Sequence, residues 1–111
     1  MLDMCICKRG NQATLKLSGQ VDPAMVEMFR QQLEDLLDDG CRTILLDLAG
    51  IDFIYSEGLA VMIEFALRLR GEGGRLRVVA ACERIGSLLE ICGLTELVGV
   101  HTGPQAPAAV C

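Results

Sequence analysis

Thr43-Ile44-Leu45-Leu46-Asp47-Leu48, followed after Ala49-Gly50 by Ile51-Asp52-Phe53-Ile54-Tyr55-Ser56-Glu57-Gly58-Leu59, is the stretch that decides the fold. Its opening is a near-continuous apolar run broken by Asp47, the pattern of a central strand covered on both faces. Gly50 interrupts that pattern, and from Leu59 apolar residues return at helical spacing. A buried strand therefore gives way to an apolar helix, and Ser56 falls where an N-cap belongs. At that position a hydroxyl meets free backbone N–H groups and the positive end of a helix dipole. An added phosphate is tolerated there.

Working outward, residues 2 to 8 alternate and read as a strand, Gly10-Asn11-Gln12 as a turn, and Thr14 to Ser18 as a second strand, together a hairpin. Met25, Val26, Phe29, Leu33, Leu36 and Leu37 share one helical face, framed by Asp22 as N-cap, Pro23 at the first helical position and Gly40 beyond the end. The second helix is expected from about Glu57 to Arg70, stopping in Gly71-Glu72-Gly73-Gly74, with Arg75 to Ala81 as another buried strand. A short helix over about Glu83 to Cys92 and a short strand over Leu97 to Val100 complete the pattern. Helices alternating with buried strands after a hairpin predict a single α/β domain over residues 1–101, a mostly parallel sheet with an antiparallel edge and three to four helices. The Gly-, Pro- and Ala-rich residues 102–111 read as a flexible tail.

Composition narrows the partners. The chain has 111 residues, 51% of them hydrophobic, and a formal net charge of −5. Nucleic acid and anionic membrane select basic faces, so neither is expected, and protein or small-molecule partners remain. No stretch approaches the ~20 apolar residues of a membrane span, and the short apolar N-terminus carries Asp3, so it does not read as a signal peptide. The six cysteines include no Cys-x-x-Cys, and His101 is not placed to complete a zinc set; they read as reduced thiols in a cytoplasmic protein.

The chemical inventory does not favour an enzyme. The single histidine lies far along the chain, no lysine follows Lys16, and no spacing supports a Ser-His-Asp relay through Ser56. Gly71-Glu72-Gly73-Gly74 follows a helix and precedes a strand, the reverse of a phosphate-cradling turn, and reads as a helix stop. Asp22, Asp47, Asp52 and Glu57 offer oxygen ligands to a metal, but caps and loop anchors account for them better, and no cofactor is called for. In sheets of this class function collects beyond the carboxyl ends of strands, which places Gln20 with Asp22, Asp47 through Ser56, and Cys82 to Arg84 in loops expected to converge. A receiver-type aspartyl phosphorylation domain would use Asp47, but the acidic pair and late lysine it needs are missing.

Gly19-Gln20-Val21-Asp22, the strand Ile44 to Leu48, Phe53-Ile54-Tyr55-Ser56-Glu57-Gly58-Leu59 and Gly93-Leu94 resemble the STAS domain of bacterial anti-sigma factor antagonists over about Thr14 to Val100. The resemblance implies a non-enzymatic partner switch in which an anti-sigma factor that is also a serine kinase phosphorylates Ser56. The unphosphorylated antagonist binds that partner, and a phosphatase resets it. Asp22 matches an acidic residue beside the serine, whereas Gln20 departs from the usual acid. Where the family has Asp-Ser-Ser-Gly or Asp-Ser-Thr-Gly, this chain has Tyr55-Ser56-Glu57-Gly58, so the hydroxyl is kept and the preceding carboxylate is lost. The alternative reading is an unphosphorylated STAS scaffold or accessory subunit of a stress-signalling assembly or transporter. At about 100° per residue Val61 and Phe65 lie beside the polar pair Glu64 and Arg68, and they are expected to be partly exposed as a partner-binding stripe.

Overall fold

Leu2–Arg9 (β1) and Gln12–Val21 (β2) pair antiparallel across Gly10-Asn11, with Arg9 opposite Gln12 and Leu2 opposite Gly19. The structure, a computed structural model, describes residues 2–102. The remaining elements are α1 (Val26–Asp38), β3 (Thr43–Ile54), α2 (Ser56–Gly71), β4 (Arg75–Ala81), α3 (Glu83–Ile91), α4 (Thr95–Val98) and β5 (Val100–Thr102). The five strands lie side by side in chain order, and every pair after the hairpin is parallel. The tail expected over 102–111 lies outside the described residues beyond Thr102.

Crossovers that each step one strand in the same direction, with the usual right-handed sense, put their helices on one face of a sheet. The buried side chains fit that arrangement. Ala13, Leu15 and Leu17 of β2, Ile44, Leu46 and Leu48 of β3, and Leu76 and Val78 of β4 form one cluster with Phe29 and Leu33 of α1, Phe65 and Leu69 of α2, Ile85 and Leu89 of α3, and Val98 of α4. Leu45 and Val79, which alternate with these residues, are also buried but stand outside the cluster. The expected α/β class, with an antiparallel edge hairpin and four helices, is the fold the chain adopts.

Three boundaries differ from the sequence expectation. Gly50 does not break β3, which runs on to Ile54. A Cβ on Gly50 would sit 2.7 Å from the Cβ of Ser18, so the missing side chain is what lets β2 and β3 continue side by side through an irregular register. α1 begins at Val26 rather than at Pro23, because the Met25 N–H bonds the Asp22 carbonyl at 2.9 Å and its carboxylate at 3.1 Å. Asp22 thus closes a turn ahead of the helix. The stretch expected as a strand over Leu97 to Val100 is mostly the short helix α4, with β5 after it.

Helix ends follow the expected chemistry. After α1 the Cys41 N–H reaches the Leu36 carbonyl and the Gly40 N–H the Leu37 carbonyl, both at 3.0 Å. Gly73 plays the part of Gly40 after α2, where the Gly74 N–H reaches the Leu69 carbonyl at 2.7 Å. The Gly71-Glu72-Gly73-Gly74 run is therefore a helix stop.

Candidate functional site

The carboxyl ends of β2 and β3 bring the first two expected loops together. Gln20 pairs with Phe53 and Val21 with Ile54, and the Tyr55 N–H bonds the Val21 carbonyl at 3.0 Å. α2 starts directly on this ledge. Gly58, in its first turn, is buried, and a Cβ there would meet Val21 Cγ1 at 2.7 Å and Ile54 Cγ2 at 3.0 Å. A bare backbone at position 58 lets the helix N-terminus sit close against the ends of both strands.

Ser56 is not the N-cap. Tyr55 holds that position in extended conformation, φ −79° and ψ 163°, and offers no side-chain cap, while Ser56 is already the first helical residue. Because β3 extends to Ile54, the chain turns into the helix one residue earlier than the apolar pattern suggests. The Tyr55 carbonyl accepts from Gly58 N–H at 2.9 Å and Leu59 N–H at 3.1 Å. Ser56 itself is exposed, and its Oγ stands 3.3 Å from Glu57 Oε1, a long and weak contact for a hydroxyl donor. The hydroxyl therefore caps no backbone group, at the end of a helix whose dipole favours negative charge.

The acids of these loops bond local backbone groups. Asp22 is engaged with the Met25 N–H, and the buried carboxylate of Asp47 accepts the Ala49 N–H at 3.0 Å. Among the described residues no group of three His, Cys, Asp or Glu side chains stands together as a metal set would, so Asp22, Asp47, Asp52 and Glu57 are not a shared cage. The third loop, Cys82 to Arg84, follows a strand that pairs with β3 only as far as Val79 beside Asp47 and ends at Ala81. What does flank Ser56 is a pair of exposed aromatic rings. Phe53 and Tyr55 meet edge to face at 4.8 Å and 82°, 41% and 40% exposed.

The partner stripe expected from Val61 and Phe65 requires correction. Both are core residues, 1% and 0% exposed. The expectation took Glu64 and Arg68 to mark the solvent side of α2, but α1 packs there. Arg30 of α1 pairs with Glu64, and Arg68 forks onto Glu34 of α1 at 2.8 and 3.1 Å while stacking 4.7 Å from the Phe65 ring centroid. The outward face is turned the other way and carries Ala60, Ile63 and Leu67, the last two 37% and 53% exposed. These lie at i+4, i+7 and i+11 from Ser56, so hydroxyl and apolar stripe share one face of the helix. That spacing was present in the sequence, masked by the assumption that charged residues point to water.

Residues 6–99 match the family described as Mlab, STAS domain. The chain belongs to the STAS family. A STAS relative, the anti-sigma-B factor antagonist of Staphylococcus aureus (strain NCTC 8325 / PS 47), is 29% identical over 82% of this chain and 84% of its own length. BtrV of Bordetella bronchiseptica, named as an anti-sigma factor antagonist, is 32% identical over 84% of this chain and 80% of its own. The fold is shared with an anti-sigma factor antagonist of Mycobacterium paratuberculosis, at a TM-score of 0.82 and 18% identity over 91% of this chain and 86% of that one. It is shared as well with unphosphorylated SpoIIAA, at a TM-score of 0.78 and 18% identity over 90% and 89% of the two chains. The homologues of this STAS domain are thus named for a regulatory role, as antagonists of anti-sigma factors.

Proposed function

We propose that this STAS domain is a partner switch of the anti-sigma factor antagonist type, docking a protein partner on the Ser56 face and released by phosphorylation of Ser56. The observation that carries the proposal is that Ser56 has no capping duty yet heads a stripe of Ala60, Ile63 and Leu67, with Phe53 and Tyr55 beside it. The partner that fits is an anti-sigma factor with serine kinase activity, the kind of protein that relatives named anti-sigma factor antagonists oppose. A phosphate brings about −1.5 to −2 charges. The helix N-terminus stabilises that charge locally, so the fold survives, but a partner would have to desolvate it beside apolar surface. The expected outcome is that Ser56→Asp weakens partner binding at least tenfold and Ser56→Ala retains it.

A second reading, an unphosphorylated scaffold or accessory subunit, draws on Tyr55 in place of the family carboxylate and on Glu57, whose charge already stands beside the Ser56 hydroxyl. Mass spectrometry after incubation with the co-purifying kinase and ATP separates the two. Phosphate on Ser56 supports the switch. Its absence, with equal binding by the Ala and Asp variants, leaves the scaffold.

A further inference from the structure

β1 forms one edge of the sheet. Its eight residues pair with β2 one for one from Leu2 to Arg9, without a register shift and without a proline, whereas the opposite edge, β5, is three residues long. Short length, bulges and prolines are what keep an edge from pairing with another strand, and β1 has none of them. The turn into β2 fixes which backbone groups are left over. Arg9 and Gln12 flank a two-residue loop led by Gly10 at φ 59°, and such a loop closes on a hydrogen-bonded pair. Asp3, Cys5, Cys7 and Arg9 therefore turn their N–H and C=O groups to β2, and Met4, Ile6 and Lys8 turn theirs to the open edge. Among the described residues no backbone hydrogen bond outside the strand ladders engages those three. Their side chains lie on the helix-covered face, opposite Leu17, Leu15 and Ala13, with Ile6 still exposed, while Asp3, Cys5, Cys7 and Arg9 lie on the other face. Charges also guard edges, but here acid and base stand at opposite ends of the strand. Asp3 and Arg9 are both exposed, and among the described residues no ion pair engages either.

We infer that β1 pairs edge to edge with β1 of a second copy of this chain, antiparallel about a two-fold axis through Ile6, joining the two sheets into one. The register follows from three conditions. Opposed side chains must share a face, and the outward backbone groups must meet one another, which restricts the axis to pass through a residue rather than between two. The third condition is charge. With the axis at Ile6, Asp3 of each copy stands opposite Arg9 of the other, so the symmetry makes the pair twice. Ile6 then meets Ile6, and Met4 meets Lys8, each pair exchanging hydrogen bonds in both directions. An axis at Cys5 or Cys7 meets the first two conditions but separates Asp3 from Arg9. This self-complementary order of charge is what assigns the occupant to a second copy, and an isologous contact of this kind closes at the dimer. β1 is two strands from β3, which leads into α2, and nothing in the assignment depends on the proposed switch.

The test is sedimentation velocity of the whole chain under reducing conditions, from ~1 µM to ~0.5 mM. An edge of eight residues is short beside the roughly 20–30 residues a side of a stable interface, so a reversible monomer–dimer equilibrium is expected within that range. Asp3→Arg and Arg9→Asp each put like charges opposite one another at both ends and should weaken the dimer at least fivefold. Asp3→Arg/Arg9→Asp restores the match and should dimerise as the parent does. A mixture of the two single variants should form a heterodimer where neither associates alone, which an effect on folding would not produce. Amide exchange followed by NMR reads the register: the N–H groups of Met4, Ile6 and Lys8 should slow as concentration rises, and those of Cys5, Cys7 and Arg9 should be slow already. A chain that stays monomeric at ~0.5 mM overturns the assignment, and a strand on this edge would then come from a different protein. So does a dimer that both single variants leave intact, or a charge swap and a mixture that both fail to restore it. Protection of the Met4, Ile6 and Lys8 amides that does not change with concentration overturns it as well, since a segment of the same chain would then cover the edge.

Discussion

Gly58 shows how much of the site hangs on one residue. It contributes no side chain, yet the position of the α2 N-terminus, and with it the Ser56 hydroxyl, depends on the backbone coming within contact of Val21 and Ile54. Replacing it by Ala gains helix propensity of about 1 kcal/mol, but forces a methyl to 2.7 Å from a stiff, branched valine side chain. Overpacking of this kind costs about 1–3 kcal/mol. Gly58→Ala should therefore be less stable by up to about 2 kcal/mol and should disturb partner binding through Ser56. Urea unfolding measures the first effect, and a variant more stable than the parent would show that α2 does not approach the strands so closely. Ser56 itself carries no such structural burden, so Ser56→Ala should unfold with the parent, within about 0.5 kcal/mol.

α2 is the element on which the two faces of the molecule separate. Val61, Phe65 and Leu69 point into the core, while Ala60, Ile63 and Leu67 point to solvent in line with Ser56. Ile63→Ser/Leu67→Ser should leave the melting temperature within a few degrees of the parent and weaken partner binding. Val61→Ser/Phe65→Ser removes two fully buried side chains and should cost several kcal/mol, enough to unfold a marginal domain. Circular dichroism melts read alongside a binding assay distinguish them, and unfolding by the first pair instead of the second would reverse the assignment of faces. The strand Ile44 to Leu48 and the hairpin were legible in the sequence because burial writes itself into local pattern. The outward face of α2 was not legible, since Glu64 and Arg68 take their direction from Arg30 and Glu34 on another helix. The full length of β3 escaped for a similar reason: what Gly50 permits is decided by Ser18 across the sheet. The seat of Ser56 at the first helical position followed from that same misplaced strand end.

Across the whole molecule, charge ties together elements that sequence places far apart. Glu34, Glu64, Arg30 and Arg68 link α1 to α2 over their outer surface, and Lys8 of β1 reaches Asp39 just past α1. Among the described residues, the two sites with perturbed acids and bases are these same contacts. The hydrogen bond from Arg68 holds the Glu34 carboxyl below its ordinary 4.5, so its contribution to stability is present above that value and is lost as pH falls through the lowered one. The hydrogen bond from Lys8 to Asp39 raises the Lys8 ammonium above its ordinary 10.5, so that contribution is present below 10.5 and is lost as pH climbs through the raised value. Both contacts therefore support the fold throughout the neutral range and fail at opposite ends. Each is at the surface and screened by salt, so each effect is small. Neither contact should therefore make melting temperature depend on pH between these limits. Glu34→Gln should melt below the parent at neutral pH, with the gap closing as pH drops through the range where Glu34 itself is protonated. Lys8→Gln should close its own gap only on the alkaline side. A Glu34→Gln gap that stays constant into strong acid would mean that the variant acts through packing of Arg68 on Phe65 rather than through the charge on Glu34.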